Sequence, residues 1–240
     1  MKTSKKSIYI VGTNGLGVNY GGWDKLLSKL IEYMPDNYKL YVYTSSHENL
    51  ENTSHINNAK PIFINLRANG YQSIFYDFFS MIHAVYKNAD IILVLGLSGG
   101  IFFPIFKLFK SKVVLNPDGA EWKRAKWNFL IKKFLKVSER IGIYFSDHVI
   151  SDNLIISKEI SNSYGITSTI AAYGGDHVKK IIIKDETLTK YNLVKDEYAF
   201  KVCRIEPENN IDIILEAFIE TEIQLILIGN WNNSPYGKNL

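Results

Sequence analysis

The sequence is poor in several things that would each fix a class of protein. It has one cysteine, Cys203, in 240 residues. That excludes an internal disulfide framework and suits a reducing compartment. It has no long unbroken apolar run. The greasiest stretch, IILVLGLSGGIFFPIF from Ile91 to Phe106, is too short and too interrupted by Gly and Pro to span a bilayer. The start, MKTSKKSIYIVGTNG, carries charge but only a five-residue apolar run, shorter than a signal peptide requires. No Asp-x-Asp triplet occurs, and His47, His55, His83, His148 and His177 show no zinc-ligand spacing. There is no internal repeat and no low-complexity segment. The net charge of +4 suits an anionic small ligand or an anionic surface, but is too small to argue for nucleic acid. What remains is a cytoplasmic globular protein that can also sit peripherally on a membrane.

What is present is a regular alternation. With 46% hydrophobic and 22% charged residues the balance is that of an ordinary folded domain. Apolar, β-rich runs at 7–12, 38–44, 61–66, 90–96, 112–116, 147–151 and 167–173 read as strands. Helical patterns stand at 22–34, 73–87, 98–109, 121–145 and 153–164. Strands alternating with helices imply parallel βαβ units. The runs have little polar alternation, as expected for strands covered on both faces. From 174 to 195 the pattern weakens into a polar connection. A further unit then begins, with strands at 198–204 and 223–229 around a helix at 209–219. The expected organisation is a complete Rossmann-like domain over 1–176, a linker over 177–196 and a partial second domain over 197–240.

VGTNGLGVNYGG, residues 11–22, places five glycines between the first strand and the first helix. Glycine lets the backbone approach a ligand closely, and the helix N-terminus offers free N–H groups and a positive dipole end. Together they suit a phosphate. A tight turn with no ligand is the plain alternative. A short-chain nicotinamide-dependent oxidoreductase is the rival enzyme, but two features oppose it. The second strand ends Tyr43-Thr44-Ser45 without the acid that a ribose needs. The only Tyr-x-x-x-Lys pair weighed for that chemistry, Tyr191 with Lys195, lies in the polar connection.

NPDGAEWKRAKWN, Asn116 to Asn128, follows the fifth strand, where ligands sit in an open parallel sheet. Asp118 and Glu121 are therefore placed at a cleft edge. A carboxylate there can take a proton from a hydroxyl nucleophile or bind a sugar's hydroxyls. The competing reading is that either one caps the next helix. That helix carries Lys123, Arg124, Lys126, Lys132, Lys133, Lys136 and Arg140, with Trp127, Leu130, Ile131, Phe134, Leu135 and Ser138 as its expected inward stripe. The basic face is either simply solvated or an electrostatic foot on anionic lipid, with Trp122 and Phe129 near the interface.

VGTNGLGVNYGGWDKLLSKL, NPDGAEWKRAKWN, AAYGGD, CRIEPENNIDIILEAF and GNWNNSPYG together resemble bacterial family-4 glycosyltransferases. More narrowly, they resemble the rhamnosyltransferase-like branch that assembles capsule, O-antigen or other surface polysaccharides. The resemblance runs over nearly the whole chain. It implies a GT-B fold with two facing Rossmann-like domains and a site between them. It also implies a nucleotide-sugar donor, such as dTDP-rhamnose, a lipid-linked saccharide acceptor and no metal or other cofactor. By matching positions, Gly21 and Gly22 would contact the donor diphosphate, and Arg204 would neutralise it as the bond to the sugar breaks. Asp118 and Glu121 would be the catalytic pair. Tyr20 and Trp122 would line the acceptor side. Relatives often carry a Lys five residues after the Arg; here that position is Asn209. In such enzymes the second domain continues beyond the point reached at Leu240. The expectation is therefore a chain truncated in its donor-side domain, with a non-catalytic, acceptor- or membrane-binding remnant as the alternative to an active transferase.

Overall fold

The computed structural model describes residues 5–17, 22–48, 59–124, 127–175, 178–179, 181, 184–232 and 234–240. The chain forms two compact units, Met1–Gly174 and Gly175–Leu240.

In the first unit, strands β1 (Lys6–Val11), β2 (Tyr38–Ser45), β3 (Ala59–Ile64), β4 (Ile91–Leu95), β5 (Lys112–Asn116), β6 (His148–Ser151) and β7 (Thr169–Ile170) form one sheet. Its order is β3-β2-β1-β4-β5-β6-β7, and every pairing is parallel. The strand order reverses direction between β1 and β4, which is where an open α/β sheet leaves a crevice at its carboxyl edge. Helices α1 (Gly22–Tyr33), α2 (Gln72–Tyr86), α3 (Phe103–Phe106), α4 (Phe129–Phe145) and α5 (Leu154–Tyr164) make the crossovers.

Successive strand residues point to opposite faces, and the core divides accordingly. On one face Ile8, Ile10, Leu40, Val42 and Leu95 pack with Leu27 and Ile31 of α1. On the other, Tyr9, Val11, Ile92, Val94, Val113, Leu115 and Val149 pack with Tyr76, Met81 and Ala84 of α2, Phe103 and Phe106 of α3, Ile143 of α4 and Ile160 of α5. Each fully buried Leu, Ile, Val or Phe contributes about 1.5–3 kcal/mol, so this two-sided burial is what holds the sheet.

Two expectations of element length change. The helix read over 121–145 is a 3₁₀ turn, Glu121–Lys123, followed by a separate α4. Arg124 is extended, and the Asn128 side chain accepts from the Ile131 N–H at 3.0 Å, capping α4. Asn128 is the strongest kind of N-cap residue and sets the true start. The inward stripe shifts with it: Leu135, Ser138, Glu139, Gly142 and Ile143 are buried, whereas Leu130 and Ile131 are exposed. The strand read over 167–173 keeps only Thr169–Ile170 in the sheet, both exposed at its edge.

The second unit contains α6 (Asp185–Lys190), β8 (Tyr198–Val202), α7 (Ile211–Ile219), β9 (Gln224–Ile228) and α8 (Pro235–Asn239). β8 and β9 pair in parallel. Among its described residues the buried apolar side chains are Ile205 and Ile211.

Candidate active site

The carboxyl edge of the first sheet is built on close backbone approaches. Gly12, just past β1, has φ +93°, and a Cβ there would stand 2.0 Å from the Leu95 carbonyl oxygen. Gly15, φ +127°, would meet the Thr44 side chain at 2.3 Å. These two glycines are therefore demanded by packing between β1 and its neighbours. Gly22 differs: it is exposed at the first position of α1, and the nearest atom to its would-be Cβ is the Tyr173 hydroxyl at 3.9 Å. The first residue of α1 thus lies beside Tyr173, with Asp24 buried in the helix's first turn. An acid there already complements part of the helix dipole. Tyr20 and Gly21 lie outside the described residues, as does Lys126.

Asp118 sits two residues past β5 in the left-handed region, φ +63°. A non-glycine residue there costs energy unless its surroundings hold it. Asn116 does the holding. Its Oδ1 accepts from the Asp118 N–H at 3.0 Å, and its Nδ2 donates to Asp152 Oδ1 at 2.7 Å in a buried setting. Asp152 follows β6 directly. Burial pushes the Asp118 carboxyl above the usual carboxylate range; the Gly119 N–H opposes this and the Asp152 charge adds to it. Burial, with the charges of Asp152 and Asp118, likewise pushes the Tyr173 phenol up. The ends of β5, β6 and β7 therefore bring Asp118, Asp152 and Tyr173 into one electrostatic group bordering the first turn of α1.

Glu121 is engaged differently. Its Oε1 accepts from Trp127 Nε1 at 3.1 Å and from Arg124 at 3.2 Å, while its Oε2 lies 2.9 Å from Arg124 Nε. It ties the Glu121–Lys123 turn to the approach to α4, whose N-cap is Asn128. Trp122 is half-buried, with the Lys136 and Lys123 ammonium groups over its ring at 4.6 Å and 5.3 Å. Its buried Nε1 has no hydrogen bond of good geometry, yet lies close enough to Glu139 to favour that carboxylate's charged form. Tyr164 donates to the same Glu139 at 2.5 Å, and Lys123 pairs with Glu159. Trp122 thus pins the turn against α4. At the start of α4, Phe129 and Leu130 are exposed among Lys132, Lys133 and Lys136.

Arg204 lies in the second unit, two residues past β8. Its side chain is 44% exposed and 3.9 Å from Glu208. The loop that presents it is ordered by Asn209, whose Nδ2 donates to the Arg204 carbonyl at 2.7 Å and whose own carbonyl accepts from Lys201 at 3.1 Å. Asn209 therefore shapes the turn. Tyr191 is the C-cap of α6 in this same unit, and Lys195 follows in the turn beyond it rather than on the helix. Among the described residues no three His, Cys, Asp or Glu side chains gather as a metal-holding group, and no helix is long and apolar enough to cross a membrane.

Sequence reasoning chose Asp118, Glu121 and Gly22 but passed over Asp152 and Tyr173. Both follow the end of a strand, as Asp118 does, and that shared position was the signal available.

A family model described as a domain of unknown function, DUF1972, matches residues 5–176. A search of curated proteins finds no match. Among solved structures the chain is similar to sucrose-phosphate synthase from Thermosynechococcus elongatus, with 14% identity and TM-score 0.71 over 96% of this chain and 63% of that one. It is similar to UDP-N-acetylglucosamine 2-epimerase from Rickettsia bellii, with 13% identity and TM-score 0.61 over 99% of this chain and 65% of that one. It is also similar to the apo form of the lipopolysaccharide outer core galactosyltransferase WaaB, with 14% identity and TM-score 0.53 over 97% of this chain and 62% of that one. This chain thus spans less than two thirds of the length of each. At such identities the likeness is one of fold: α/β, of the GT-B type, with the seven-stranded parallel sheet as its first unit and a β-α-β unit in the second.

Proposed function

The chain belongs to the family of the domain of unknown function DUF1972, and on that footing we propose that it is a glycosyltransferase using a nucleotide-sugar donor. The observation that carries the reading is the shared neighbourhood of Gly22 and Asp118. Tyr173 stands 3.9 Å from the Gly22 β-position and feels the charges of Asp118 and Asp152. A helix N-terminus suited to a phosphate and a proton-accepting carboxylate therefore border one region of the first unit.

In this proposal the acceptor's hydroxyl gives its proton to Asp118 as its oxygen attacks the anomeric carbon, and the nucleoside diphosphate leaves. A carboxylate whose proton affinity is raised by burial is a stronger base than an ordinary one. Asn116 and Asp152 position it. Gly22, the first residue of α1, is assigned to the leaving diphosphate, where negative charge grows in the transition state; the family resemblance assigns Gly21 and Arg204 to the same charge. Glu121 and Trp122 hold the acceptor-side turn in shape, and Tyr20 is assigned to the acceptor by the family resemblance. No metal is assigned a role. The donor proposed is dTDP-rhamnose, and the acceptor is a lipid-linked saccharide for a surface polysaccharide. The exposed Phe129 and Leu130, set among lysines, suit a peripheral seat on the anionic inner face of the cytoplasmic membrane.

The test is transfer of radiolabelled sugar from a panel of nucleotide-sugars into a membrane lipid extract. Label moving to lipid from dTDP-rhamnose is the expected result. Donor binding without transfer would reduce the chain to a non-catalytic binding remnant. Label turned over with no acceptor modified would replace transfer by a reaction on the donor alone.

A further inference from the structure

We propose that α2 is a self-association face: two copies of the chain pair α2 against α2, antiparallel, about a two-fold axis near Phe79. The helix carries an exposed stripe of Tyr71, Phe75, Phe79, Ile82 and Tyr86, at 78%, 54%, 50%, 44% and 76% exposure. Their spacings of four, four, three and four residues put all five on one side of the helix. This side is opposite the one that holds Tyr76, Met81 and Ala84 in the core.

Three observations select a second copy as the occupant. The stripe is close to palindromic: reversed about a point between residues 78 and 79 it sets Tyr71 against Tyr86 and Phe75 against Ile82, with Phe79 within one residue of its own symmetry mate. A two-fold interface requires that self-complementarity. The area also suits a dimer. With large side chains offering roughly 150–250 Å² each, these exposures leave about 600 Å² per copy and about 1,200 Å² for the pair, the lower end of a stable interface. Charge completes the argument. Between Tyr71 and Lys87 the titratable groups other than tyrosines are Asp77 and His83. Asp77 is buried. His83 is hydrogen-bonded to the Tyr43 hydroxyl at 2.9 Å, and burial and Lys87 hold its pKa below the usual value, so it is neutral at pH 7. The cation that reaches this stripe is Lys87 at its end, 5.4 Å from the Tyr86 ring centroid, so the face is a poorer match for an anionic membrane than the lysine-rich start of α4.

Sedimentation velocity across micromolar concentrations tests this. The wild-type chain should shift from monomer to dimer with concentration. Phe79→Asp should weaken the dimer about thirtyfold per copy, and so on the order of a thousandfold for the symmetric pair. Phe79→Ser serves as a milder variant, and an unchanged circular-dichroism spectrum and melt certify each fold. In a Cys203→Ser background, Tyr71→Cys mixed with Tyr86→Cys should cross-link under oxidant, and Phe79→Cys should cross-link to itself. A wild-type chain that stays monomeric at every concentration overturns the proposal. So does a dimer indifferent to both Phe79 variants, or one in which Tyr71→Cys cross-links chiefly to itself. Monomer that binds neutral-lipid vesicles through Phe79 assigns the face to a membrane and overturns the proposal as well.

Discussion

The two units follow the same βαβ grammar but differ in what they bury. In the first, strands β1, β2 and β4 carry apolar side chains on both faces, and helices cover both. In the second, β8 and β9 pair in the same parallel sense, yet Phe200, Val202 and Ile228 are more than half exposed. Both units use the same device after a strand, a glycine pressed against neighbouring backbone. Gly12 meets the Leu95 carbonyl, and a Cβ on Gly229 would stand 2.4 Å from the Cys203 carbonyl. Local geometry is thus equally specified in both, while the hydrophobic free energy that makes it durable is concentrated in the first. The second unit sacrifices little by opening, and its Arg204 side chain is part-exposed.

The contrast is broken most forcefully at those glycines. Gly12→Ala sets a methyl into backbone at a positive φ, and should cost about 4 kcal/mol or more. The expected result is loss of the first unit's cooperative melt. Gly229→Ala should leave that melt in place while lowering helix signal from α7 and α8. Hydrogen exchange sharpens the comparison next. Amides of β1, β2 and β4 should exchange only through global unfolding, and those of β8 and β9 through openings about 2–4 kcal/mol easier. Equal protection in the two sheets would erase the distinction.

A smaller effect is tied to pH. Asp77 in α2 is buried, accepts from the Gly99 N–H, and is pushed up to about 8 by burial. An acid whose folded pKa is raised lets the folded state bind a proton the unfolded state has released. Its contribution is greatest below the unfolded value of about 4 and is lost as pH rises toward about 8. Urea melts of the wild type should therefore weaken across that window, and Asp77→Asn should flatten the trend. The smallest change expected is at the start of α4. Replacing Lys132, Lys133 and Lys136 by Gln should reduce binding to anionic vesicles by about 1 kcal/mol per lysine at low salt, with little left at high salt.

Much of this was legible in the residues. Apolar runs such as SIYIV and IILVL have no other stable home than a covered sheet, and they lie in β1 and β4. The place of Asp118 just past β5 was legible, because KVVLN reads plainly as a strand. The break before α4 was not, because apolar residues keep helical spacing through Trp127 and Leu130, and only the Asn128 cap reveals the restart. Asp152 and Tyr173 were hidden for a different reason. Their meeting with Asp118 depends on β5, β6 and β7 lying side by side, which is tertiary information. The engagement of Glu121 with Arg124 and Trp127 was equally invisible, since the turn that joins them resembles a helix in sequence.

The central claim is that Asp118 accepts the acceptor's proton while the diphosphate is bound elsewhere. Asp118→Asn keeps the shape of the side chain and removes the base, so sugar transfer to lipid and donor binding should be measured on the same preparation. The account predicts transfer reduced by about 10²–10⁴-fold with donor affinity unchanged or slightly improved. Transfer at the wild-type rate by the Asn variant would contradict it.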